Sequence, residues 1–183
     1  MKKLLVLLAA SALFASCGVQ QLIPESVNTI NRAQLSDLNL TRKDYTVLAT
    51  ISAEATVISR ESSQSKTREI SDPSGDFSVK WQRKGLKGSD KKKKSSAWVC
   101  TDFQGILRTG ALANLPSTTA DHADPVDMVE KLALYRLINQ AHQEGADAIV
   151  EPNYTISAEQ NGPRQITYRA TVTAKIIKLK TDR

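Results

Sequence analysis

Two stretches of this chain alternate apolar and polar side chains at every second residue, and they dictate a sheet. In the first, Tyr45, Val47, Ala49, Ile51, Ala53, Ala55 and Val57 are separated by mostly polar neighbours, among them Thr46, Thr50, Ser52, Glu54 and Thr56. In the second, Ile166, Tyr168, Ala170, Val172, Ala174 and Ile176 alternate with Thr167, Arg169, Thr171, Thr173 and Lys175. Successive side chains of a strand point to opposite faces, so each stretch presents one apolar face and one polar face. A sheet built from them is buried on one side only. The small alanines on the first apolar face leave room for a helix to lie close.

That helix is expected at Val126 to Glu144. Asp124 is placed to cap it, Pro125 suits the first helical position, and Asp127 favours the positive end of the dipole. Gly145 supplies the stop. On a helical wheel Val126, Val129, Ala133, Leu134, Leu137 and Ala141 gather on one side. Met128, Leu132 and Tyr135 form a second apolar patch, expected to need its own cover from the 104–122 segment or from a second subunit. Beyond Gly145, Ala146 to Val150 reads as a short buried strand closed by Pro152, which Tyr154 and Ile156 extend in an alternative reading. Asn161-Gly162-Pro163 is a turn into the second long strand.

Between the first long strand and the helix lies a basic excursion at about 60–96. Phe77, Val79 and Trp81 alternate with Ser78, Lys80 and Gln82, and Ala97 to Phe103 is another β-prone run. The pattern fits a hairpin with a long basic tip, or a disordered excursion. Gly105, Gly110 and Pro116 interrupt any helix in 104–122. The expected order is strand, excursion, helix, strand, strand. That is an α+β fold, an antiparallel sheet with one main helix packed across its face. It forms one domain over 45–183, preceded by a tether at 17–44 with a short strand expected near Val27 to Ile30.

The N-terminus places the protein. Lys2 and Lys3 precede an apolar run, Leu4 to Phe14, and then Ala15-Ser16-Cys17-Gly18. The run is shorter than the roughly 20 residues that span a bilayer as a helix, so residues 1–16 read as a removed signal peptide. The segment ending at Cys17 resembles the lipobox of signal-peptidase-II substrates, with Phe14 standing where that pattern usually has Leu. The resemblance implies acylation of Cys17, and acyl chains there would hold the protein on a membrane surface. Gly18 in place of Asp implies the outer membrane of a diderm bacterium.

Losing Lys2 and Lys3 takes the formal net charge from +6 to +4. The excess is local. Lys80, Arg83, Lys84, Lys87, Lys91, Lys92, Lys93 and Lys94 are opposed within their stretch only by Asp90, and Trp81 and Trp98 flank them. Cations beside stacking surfaces suit phosphate or carboxylate polymers. In an envelope the candidates are an anionic polymer, such as lipopolysaccharide or an acidic glycan, and lipid headgroups. Nucleic acid is not expected there. The plain alternative is a solvated tip whose lysines keep an exposed edge soluble.

Other chemistry is sparse. Asp121, His122, Asp124 and Asp127 are the one place where a histidine meets several carboxylates, a candidate divalent-metal set. A helix N-terminus opposes a cation, and Asp124 has a capping role to fill. There is no Gly-x-Ser-x-Gly elbow, and the chain has 2 histidines to serve as bases. Cys100, between Val99 and Thr101, reads as an inert small hydrophobe. A lone mature cysteine beside Cys17 makes no intramolecular disulfide.

Two pieces carry a family resemblance: Tyr45 to Ala55, ending Ser-Ala-Glu-Ala, and Ala133 to Val150, ending Glu144-Gly-Ala-Asp-Ala-Ile-Val150. Both resemble segments of small bacterial lipoproteins of unknown function, and more loosely the small oligomeric proteins of the so-called heavy-metal-binding domain family. The resemblance implies a helix on a sheet completed by a final hairpin, and a homo-oligomer. With no Cys/His cluster in the sequence, metal binding does not carry over. The expectation is a non-enzymatic, lipid-anchored envelope binding or assembly module with no cofactor. The alternative is a metal-dependent hydrolase or other enzyme using the 121–127 cluster.

Overall fold

The two alternating stretches lie side by side. Strand β2, Tyr45–Ser62, runs antiparallel to β7, Gln165–Leu179, with Tyr45 facing Leu179 at one end and Arg60 facing Gln165 at the other. The computed structural model describes residues 27–37, 40–86, 95–105 and 124–180. Around the central pair stand β1 (Asn28–Ile30), β3 (Thr67–Ser71), β4 (Phe77–Leu86), β5 (Ser95–Gly105) and β6 (Ala148–Gly162). They make one seven-stranded sheet in the order β1-β6-β7-β2-β3-β4-β5. A six-residue helix α1, Arg32–Asp37, follows β1, and the 19-residue helix α2 is Pro125–Gln143.

The α+β class stands, with corrections to the sheet. It is mixed, because β1 pairs in parallel with β6, Asn28 to Ile30 lying against Ala148 to Val150. The described part of the expected tether therefore belongs to the domain: Val27 and Ile30 are buried. The described part of the excursion is sheet as well. β3 and β4 pair from Thr67↔Gln82 to Ser71↔Ser78, and β5 adds the far edge. Short β3 carries little periodicity of its own, so only its pairing reveals it.

Helix α2 forms as its ends dictate. The Asp124 carboxylate accepts from the Val126 N–H at 2.9 Å, Pro125 needs no donor there, and Gly145 leaves the last turn at φ +71°. Its buried face is wider than the wheel suggests. Met128 is 1% exposed and Leu132 0%, in one cluster with Val57, Val172, Ile70, Phe77, Val79 and Trp81. Two members of the second apolar patch, Met128 and Leu132, are therefore enclosed within the chain, and Tyr135 is half-buried. Met128 and Leu132 thus offer no surface to a second subunit.

The face of the sheet away from α2 is polar over most of its area. A second small cluster, Ile30, Ala148, Val150 and Ile177, occupies one end of it with Leu35 of α1 packed against it. Two β-bulges lie there. One takes Leu48 out of the β2–β7 ladder and reverses the alternation there, so Tyr45 and Val47 lie on the face away from α2, with Ile177, and not with Ala49 to Val57 as expected. The other falls between Val150 and Asn153, where Glu151 adopts φ +53° and Pro152, lacking an N–H, is accommodated. That bulge lets β6 continue through the proline to Gly162.

Candidate anion-binding site

Strands β4 and β5 outrun β3. β3 pairs with β4 only as far as Gln82, whereas β4 and β5 stay paired out to Leu86↔Ser95. Arg83 to Leu86 and their partners form a two-stranded arm leading into the 87–94 segment. At its root Arg83 lies directly opposite Trp98. The Arg83 N–H donates to the Lys66 carbonyl at 2.9 Å, tying the arm to the β2–β3 turn. Lys66 takes φ +52° to close that turn.

Lys66, Arg83 and Trp98, with Glu61, Ser62 and Ser63, line a depression of about 360 Å³. Trp98 is half-buried against the core, so its ring is held in place. Lys66 and Arg83 are exposed, and Glu61 is the one carboxylate among these lining residues. Two cations beside a braced aromatic face suit an anion that also carries a planar or apolar surface.

The basic set divides accordingly. Arg83 and Trp98 meet; Lys84, opposite Ala97, projects exposed from the other face of the arm. Lys80 lies in register between Glu69 and Asp102, and opposite charges across a ladder neutralise one another. Trp81 is a correction: it is 0% exposed, in the core, and stacks on no ligand. It faces α2 because its alternation continues that of Phe77 and Val79. Lys87 and Lys91 to Lys94 lie outside the described residues, as do Cys17 and the leader. Lys66 escaped the sequence reading because only strand register brings it to Arg83.

Asp124 and Asp127 each have a structural task, the first as the helix cap and the second accepting from Lys131 Nζ at 2.6 Å. Asp121 and His122 lie outside the described residues. Among the described residues, no three His, Cys, Asp or Glu side chains gather as a metal site. The Cys100 thiol is pushed up from its ordinary pKa, chiefly by burial and further by the Asp102 charge, although a backbone contact opposes this. A raised thiol pKa means less thiolate and low reactivity.

Asp147, within the Gly-Ala-Asp-Ala segment, is a residue whose role the sequence did not reveal. It accepts from Lys178 Nζ at 2.6 Å and from the Leu179 N–H at 2.8 Å, closing the end of β7 over the helix exit. No protein-family model, no curated protein and no solved structure matches the chain.

Proposed function

We propose that this protein is a lipid-anchored, non-enzymatic binding module of the cell envelope that holds an anionic polymer at the root of the β4–β5 arm. The observation that carries this reading is the meeting of Lys66, Arg83 and the braced Trp98 ring in one depression. Cations supply long-range attraction to phosphate or carboxylate groups, and the indole supplies a stacking surface that tolerates varied ligands. In the sequence, Lys87 and Lys91 to Lys94 lie between β4 and β5 and add positive charge to this part of the chain. Anchorage follows from Cys17 and its small-residue setting, and supports an envelope ligand over nucleic acid.

The test uses a soluble acidic glycan, polygalacturonate, whose sugar rings offer a face to the indole, and the mature chain. Arg83→Ser and Trp98→Ala should each weaken binding, and Arg83→Ser should also flatten its salt dependence, since exposed charges are screened within about 10 Å at 0.1 M salt. Unchanged binding in both variants would remove the arm from the reading. Separately, Cys17→Ser should move the protein from the membrane fraction to the soluble envelope fraction.

A further inference from the structure

The polar face of the sheet carries a second concavity, at the end remote from the arm and beside the strand that follows the tether. Its apolar lining is Tyr45, Val47, Val150 and Ile177, with Leu35 of α1. The volume is about 660 Å³. Arg42, Lys175 and Lys180 stand on its rim, and Glu151 is the single carboxylate among its lining residues. Glu151 is drawn towards cations on both sides, 3.6 Å from Arg32 and 4.0 Å from Lys175.

Two bulges shape this place, one in each strand flanking β7. The β2 bulge leaves Val47, a groove residue, 50% exposed, and Leu48, next to it in the chain, 44% exposed. The β6 bulge holds Glu151 in the left-handed region, a conformation unfavourable for a residue with a Cβ. Apolar side chains that insert and cations that flank them are what a protein presents to an anionic bilayer surface.

We infer that this groove docks on the membrane itself, taking the headgroup of an anionic phospholipid between Arg42, Lys175 and Lys180 while Val47 and Leu48 enter the acyl boundary. The inference rests on the lipid-anchored reading, since the anchor keeps the groove at a bilayer and the groove sets which way the domain faces. Docked so, the sheet's polar face meets the membrane. The Trp98 depression, on the helix side, then opens away from it.

The experiment uses the mature chain carrying Cys17→Ser, so that no acyl chain contributes, and vesicles of phosphatidylglycerol with phosphatidylcholine against phosphatidylcholine alone. Binding should require phosphatidylglycerol. Arg42→Ser with Lys180→Ser should weaken it by roughly fivefold for each cation removed. Leu48→Asp, at an exposed bulge, should weaken it as well while leaving the circular dichroism unchanged. Equal binding to both vesicle types, or unchanged binding in both the Arg42/Lys180 and Leu48 variants, overturns the groove. Loss of binding only on replacing Lys91 to Lys94 by Ser also overturns it, and assigns the membrane contact to the arm. Failure of the anchor is read independently, from fractionation of the chain with Cys17 intact.

Discussion

Arg136 reaches from the middle of α2 to Asp72, its Nη2 donating to Oδ2 at 2.9 Å. The same guanidinium donates to Asp76 at 2.6 Å and to the Glu54 carbonyl at 2.9 Å. One side chain thus ties the helix to β2 and to the β3–β4 turn. The Asp72 side chain is 1% exposed, and its Oδ1 has no hydrogen-bond partner among the described residues. Such a carboxylate depends heavily on its cation.

Removing that cation strands a buried charge, which costs about 3 kcal/mol or more. Arg136→Met should therefore lower the urea midpoint sharply. Arg136→Lys should recover little, because a single ammonium does not reproduce the planar fork that reaches three acceptors. A methionine variant as stable as the parent would show that the clamp contributes nothing, and an equally stable lysine variant that one ammonium suffices.

Leu132 tests the single-core arrangement. Leu132→Ala removes packing from a fully enclosed site and should cost about 2–5 kcal/mol. Leu132→Glu should unfold the chain, seen as lost circular dichroism, because it places an unpaired carboxylate in the core. A folded but dissociated Leu132→Glu protein in sedimentation would return the residue to a subunit interface.

Gly105 sits at φ +117°, where a Cβ would lie 2.1 Å from the Asp76 carbonyl oxygen and 2.5 Å from Phe77 Cα. Both are backbone atoms, so relief requires β5 to move away from the start of β4. Gly105→Ala should destabilise by more than about 1 kcal/mol. A thermal midpoint unchanged from the parent would contradict this packing.

The Asp147 carboxyl is held below the usual carboxylate range, first by its hydrogen bond from Lys178 and then by the Leu179 N–H. A depressed folded pKa adds stability above the unfolded value of about 3.9, and that stability is lost as pH falls through the folded value. Asp147→Asn should be less stable than the parent at pH 7, and the difference should shrink below about pH 4. Melting curves at both pH values check it; a constant difference would mean the charge is irrelevant.

Alternation in Ala49 to Val57 and Ile166 to Ile176, and the Asp124-Pro125 start and Gly145 stop of α2, were legible because each rests on geometry repeated or completed within a few residues, whereas the bulge that turns Tyr45 and Val47 to the other face was not. Arg83, Lys84 and Trp98 were legible as a basic, aromatic stretch for the same reason. The tertiary structure alone decided that β1 joins in parallel, that β3 turns the excursion into sheet, and that Trp81 and Leu132 are core. It alone brought Lys66 to Trp98, Arg136 to Asp72, and Arg42 to Lys175 at the groove. Register and burial are set by contacts between residues far apart in the chain. A shift of one residue in pairing reverses every face, and no local pattern records which partner strand lies alongside.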